Sequence, residues 1–157
     1  MGYKYGIWLV YDRLAFQNKT CISLKHIGHF TICCSMEYLD AYQLFHQLSR
    51  YYGETATLHV SGKPVIFPSG FYKNATDELQ SWGYEATCSL WPKYQETCQN
   101  YECDFADVIH TSVRYYNDSI SDDELTSKTI KSFSIPCNMC LVDITNDDPS
   151  EWRILSH

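Results

Sequence analysis

The sequence predicts an α+β fold built on antiparallel sheet. Three observations carry this expectation. Apolar runs of strand length recur from end to end, most of them bounded by Gly, Pro, Asn or Asp. One long stretch has helical periodicity, with Tyr38, Ala41, Tyr42, Phe45 and Leu48 on one face. The regular strand–helix alternation of a doubly wound fold is missing, as is its Gly-rich phosphate loop.

In chain order, the run from Tyr5 to Tyr11 is expected as a strand. A second strand is expected from Ile22 to Ser35, interrupted by polar residues between His26 and His29. Glu37 to Tyr52 is expected as a helix capped by Ser35 and stopped by Gly53. Thr55 to Phe67 follows as strand broken at Gly62-Lys63-Pro64, then a turn at Pro68-Ser69-Gly70. Gly83 to Leu90 is a strand closed by Pro92, Tyr94 to Cys103 a second helix, and Val108 to Tyr115 a strand. Ser121-Asp122-Asp123-Glu124 has the composition of a helix start. Phe133 to Thr145 is strand, Asn146 to Pro149 a turn, and Trp152 to Leu155 a closing strand.

At 157 residues and 18.3 kDa, the chain suits one domain over its whole length. Twelve Lys and Arg against 19 Asp and Glu give a net charge of −7. Proteins that grip long DNA or RNA neutralise phosphates with a basic surface, so that class is disfavoured, while a small anionic ligand is not. Aromatic residues reach 15%, enough to supply stacking surfaces. No apolar run approaches the length of a membrane helix, and no secretory leader is recognisable, so a cytoplasmic protein is expected. Gly2 is a poor myristoylation match because Gly6 stands where Ser or Thr is preferred. The sequons at Asn18, Asn74 and Asn117 are expected to be idle, and the eight cysteines reduced and mostly buried.

The chemistry lies in a repeated tripeptide, histidine followed two residues later by Ser or Thr. It occurs at His29-Phe30-Thr31, His59-Val60-Ser61 and His110-Thr111-Ser112, where chance predicts about one. The first and third each enter a strand-like run. Residues i and i+2 of a strand share a face, so each imidazole and its hydroxyl point into the same space. The two motifs stand 81 residues apart, room for two similar units facing each other. Two histidines can divide acid and base work on a phosphodiester, since imidazole titrates near neutral pH. Thr31 and Ser112 can donate hydrogen bonds to the phosphate oxygens. Which histidine is acid and which is base stays open. The copy at His59 is set aside, because 30 residues from the first motif leave too little room for a complete lobe. Tyr11 and Trp82 are candidates for stacking on a base. Arg114, two residues past Ser112, shares the motif's face if the strand is regular. Lys25 and Lys63 are further cations available to phosphate.

This pair of strand-borne motifs resembles the 2H phosphoesterases, the two-histidine phosphodiesterases with one H-x-[ST] motif in each of two related lobes. The first strand, the helix after the first motif, the Gly-containing segment Leu58-His59-Val60-Ser61-Gly62 and the late strand Cys140-Leu141-Val142-Asp143-Ile144 continue the outline. Cys33-Cys34 in place of the usual aliphatic or aromatic run, and Ser at 112, depart from the family pattern. The resemblance implies a two-lobed fold, antiparallel sheets with flanking helices around a central cleft holding His29, Thr31, His110 and Ser112. It also implies cofactor-free, metal-independent cleavage of a small RNA-like substrate: a cyclic nucleotide or dinucleotide, a 2′,5′- or 3′,5′-linked oligonucleotide, or a 2′,3′-cyclic phosphate. Some virus- and phage-encoded relatives destroy nucleotide immune signals.

Two other readings compete. One is a non-catalytic nucleotide- or RNA-binding module on the same fold. The other is a Cys-rich zinc domain using Cys137-Asn138-Met139-Cys140, with Cys98 and Cys103 brought in by folding; its four-ligand spacing is incomplete. A nucleophilic pairing of Cys34 with His29 follows no spacing rule, and a buried thiol is the plainer expectation.

Overall fold

The structure is a computed structural model that describes residues 3–68, 71–72, 80–116 and 120–156. Gly2, residues 69–70 of the expected turn, and the sequons at Asn74 and Asn117 lie outside the described residues. The fold is α+β: a curled antiparallel sheet with a few helices. The strands are β1 (Tyr5–Val10), β2 (His29–Met36), β3 (Thr55–Phe67), β4 (Gln80–Thr87), β5 (Asp104–Phe105), β6 (His110–Tyr116), β7 (Phe133–Asp143) and β8 (Arg153–Ser156). The helices are α1 (Arg13–Thr20), α2 (Tyr38–Tyr52), α3 (Trp91–Cys98) and α4 (Asp122–Thr126). Among the described residues no helix is long and apolar enough to cross a membrane.

Binary patterning decides most of these elements. Along β3, Ala56, Leu58 and Val60 point inward while Thr55, Thr57 and His59 are exposed, the period of two expected of a half-buried strand. The anticipated break at Gly62-Lys63-Pro64 is a register shift against β4 within a continuous strand. On α2, Ala41, Leu44, Phe45 and Leu48 form the buried stripe, and Gly53 ends the helix at φ +88°, where a side chain would be strained.

Three local expectations are corrected. Ser35 is not a helix cap: it takes a positive φ, and its hydroxyl donates to Asp104 Oδ2 at 2.6 Å, tying β2 to β5. Pro92 opens α3 instead of closing a strand, because its missing N–H costs nothing in a first turn. Residues 22–28 are loop, so β2 begins at His29. Helix α1 was unforeseen; Asp12 caps it by accepting from the Leu14 N–H at 3.1 Å, and it buries Phe16.

The sheet order is β5-β2-β1-β7-β3-β4-β6, with β8 added to β7. Two separate sheets, one per lobe, are therefore not formed. The eleven-residue β7 joins them: Asn138 to Asp143 pairs with β1, and Phe133 to Asn138 pairs with β3. The sheet curls into a half-barrel until β2 approaches β6. On one face lies the main core, where the helices contribute Phe16, Leu44, Leu48 and Tyr94. A smaller cluster of Trp8, Cys34, Cys140, Val142, Ile144 and Trp152 lies apart from it.

Candidate active site

The curl brings both motifs to one cleft. Its lining includes His29, Thr31, His110, Ser112, Ser81 and the rings of Trp8, Phe67 and Trp152. His29 and Thr31 come from the start of β2, His110 and Ser112 from the start of β6. The two strands share a further feature. Each carries one extra residue directly after its motif: Ile32 against the β1 pair Ile7 and Trp8, and Val113 against the β4 pair Trp82 and Gly83. A bulge of this kind re-aims the side chains that follow it.

Each imidazole is held in the same way. His29 Nδ1–H donates to the Ile27 carbonyl at 2.7 Å, and His110 Nδ1–H to the Val108 carbonyl at 3.2 Å. A carbonyl only accepts, so in both neutral rings the proton sits on Nδ1 and Nε2 keeps its lone pair. Each ring is also stacked: His29 on Trp8 with centroids 3.5 Å apart and planes within 9°, His110 on Phe67 at 4.0 Å. Phe71 meets His110 edge-on at 4.9 Å.

His29 is 5% exposed, and burial pushes its pKa down to about 3, with the nearby His26 and His110 adding to the shift. His110 is half-buried, and the water its ring loses brings its pKa down to about 4. Both rings are neutral at pH 7 in the free cleft. The Ser112 hydroxyl shares a 2.8 Å hydrogen bond with Ser81. Trp8 Nε1, also in a cleft residue, is buried without a hydrogen bond among the described residues, and the Tyr72 hydroxyl lies beside Thr31. Buried donors without partners are uncommon, and an oxyanion would satisfy them.

Of the residues singled out in the sequence, His29, Thr31, His110 and Ser112 are brought together; Tyr11, Trp82 and Arg114 are not. Tyr11 is 4% exposed, packs on Phe16 beneath Gly28, and shares a 2.6 Å hydrogen bond with Thr111, so its face is unavailable for stacking. The bulge at Val113 explains Arg114. It pairs Arg114 with Trp82 and Ser112 with Gly83, so Arg114 turns out of the cleft. Trp82 is 5% exposed and lines a separate depression together with Arg114. His59 stands exposed on β3, bonded to Ser134 Oγ at 2.6 Å.

Sequence reasoning missed Trp8, Ser81 and His26. His26 Nε2–H donates to the Ser112 carbonyl at 2.9 Å, linking the loop before β2 to β6. The available signal for Trp8 was its place in the apolar run expected as the first strand, three residues before the Tyr11 chosen instead.

The thiols also fall into place. All eight are free, and Cys137 and Cys140 belong to different clusters, so they do not converge on one metal. Among the described residues, no group of three or more His, Cys, Asp or Glu is placed to hold a metal ion. Cys34 lines the cleft but is 1% exposed, and burial raises its pKa far above the range of a nucleophilic thiolate. No protein-family model matches this chain, and no curated protein does either.

Proposed function

We propose that the protein is a metal-independent phosphodiesterase of the 2H type, acting on a small RNA-like substrate. The observation that carries this reading is the paired geometry. Two imidazoles from distant strands line one cleft, each with Nδ1 engaged by a backbone carbonyl and each with a hydroxyl two residues on. Each ring has Nε2 alone free for proton transfer. One of the two histidines is the base that takes a proton from water or a ribose 2′-OH, and the other is the acid that gives one to the leaving oxygen. A phosphate anion between them supplies the countercharge that lets the pair hold that proton. Thr31, Ser112 and the unpartnered Nε1–H of Trp8 are suited to the charge that builds on the non-bridging oxygens.

The free cleft is narrow, about 40 Å³, which suits a phosphate group and leaves the rest of a nucleotide outside it. Degradation of a nucleotide immune signal fits this reading of the substrate, and a cytoplasmic location goes with it. The test is turnover of cyclic mono- and dinucleotides, 2′,5′- and 3′,5′-linked oligoadenylates and 2′,3′-cyclic nucleotides in excess EDTA. Wild type is expected to cleave at least one class, and His29→Ala and His110→Ala proteins to lose that activity by 10²-fold or more. Full activity in either variant overturns the mechanism. Tight binding without turnover points to the binding-module reading.

A further inference from the structure

Beside the cleft lies a broader depression of about 460 Å³, within the size range of small-molecule sites. It is bounded by the loop before β2, by β4 and β6, and by α4, and the Tyr115 ring lines both it and the cleft. Its charge runs against that of the whole molecule. In a chain of net charge −7, three of the 12 Lys and Arg, namely Lys25, Arg114 and Lys128, face one carboxylate there, Glu124. The ion pairs among the described residues are Lys4–Glu37 and Arg153–Asp143, so none of these three cations is neutralised by one. They come from three different places, the loop before β2, strand β6 and the turn after α4, so their convergence is a product of the fold and not of a basic run in the sequence.

We propose that this depression binds a second phosphate of the substrate whose first phosphate sits between His29 and His110. The inference rests on the phosphodiesterase reading of the cleft and narrows it. The substrate class becomes linear or cyclic oligonucleotides with at least two phosphates, in preference to nucleoside 2′,3′-cyclic monophosphates. A cleft of about 40 Å³ holds little beyond the scissile group, so the remaining substrate must lie against its border, and this part of the border is cationic. The Tyr115 ring lines both regions, so a substrate spanning the two phosphates would pass over it. His26 joins the two regions mechanically: it lines the depression while holding the Ser112 carbonyl.

The experiment compares 2′,3′-cyclic AMP, with one phosphate, against 5′-phosphorylated diadenylate in 3′,5′ and 2′,5′ linkage and cyclic diadenylate. Each is run on wild type and on Lys25→Glu, Arg114→Glu and Lys128→Glu proteins whose Tm has been checked. Charge reversal is expected to lower kcat/KM on the multi-phosphate substrates at least tenfold more than on 2′,3′-cyclic AMP. The dependence of log kcat/KM on log salt should become shallower in the same variants. Equal losses on all substrates, or no loss, overturn the proposal. If wild type cleaves nothing, the catalytic reading fails, and the depression is judged by binding alone. Phosphorylated diadenylate is then titrated calorimetrically into wild type and the Arg114→Glu/Lys128→Glu protein. A tenfold or greater loss of affinity supports the second-phosphate site; unchanged or undetectable binding refutes it.

Discussion

Replacing His29 by Gln removes a titrating ring while keeping a neutral amide, and the effect should depend on pH in a calculable way. An unperturbed histidine titrates near 6.5, whereas folding drives His29 down to about 3 by burial, reinforced by His26 and His110. Between these values the unfolded chain binds a proton at residue 29 and the folded chain does not. Stability from this group is therefore complete above the unfolded pKa. It falls by about 1.4 kcal/mol for each pH unit below it, until the folded pKa is reached. From pH 6.5 to 4.5 that amounts to about 2 kcal/mol, a large share of the roughly 5–15 kcal/mol by which domains are stable. The assay is urea unfolding of wild type and His29→Gln at both pH values. Carboxylates such as Asp143, whose pKa is lowered by its hydrogen bonds to Thr145 and Arg153, titrate in both proteins and cancel in the difference. Wild type should lose about 2 kcal/mol more than the variant over this range. Parallel pH dependences would mean that His29 accepts its proton near 6.5 in the folded state. The water-poor, stacked environment of His29 in the cleft would then be wrong.

Three more outcomes follow from the same geometry. Ser112→Ala should lower kcat by roughly 10- to 100-fold, and Ser81→Ala by several-fold with KM little changed, because Ser81 acts by holding the Ser112 hydroxyl; steady-state kinetics on the preferred substrate separates the two. Gly83→Ala should destabilise the fold by more than about 2 kcal/mol in thermal or urea unfolding, since a Cβ there overlaps the Thr111 carbonyl and forces β4 from β6 beside the cleft. Tyr11→Phe should cost about 1–2 kcal/mol of stability through loss of its buried hydrogen bond to Thr111, with KM within twofold of wild type; a large rise in KM would place its hydroxyl at the substrate.

Much of the fold was legible because strand alternation and the α2 stripe are direct records of burial. Ala56, Leu58 and Val60 declare the inner face of β3 without any knowledge of its neighbours. The motif histidines were legible for a similar reason: i and i+2 on a strand is a local rule, and His29 with Thr31 obeys it. What was hidden depends on pairing. The bulge at Val113 is a relation between β6 and β4, and nothing within His110 to Tyr115 announces it; the regular-strand assumption therefore put Arg114 on the wrong side. Tyr11 failed for a related reason. Its hydroxyl partner, Thr111, lies 100 residues away, so its burial could not be seen locally. The two-residue strand β5 and the eight-residue α1 are too short for periodicity to register. A one-sheet architecture was equally out of reach, since it rests on β7 pairing with both β1 and β3.

That central strand has a consequence for how the molecule is made. β7 arrives after residue 132, yet it is the seam through which the half bearing His29 connects to the half bearing His110. Its partners in β1 lie more than a hundred positions earlier, and loop closure over such distances makes for slow folding. On the ribosome, both motifs emerge before the residues that set them opposite one another. A nascent chain halted before residue 133 would carry all four motif side chains without a joined sheet to align them, and the cleft would be completed only once β7 has emerged.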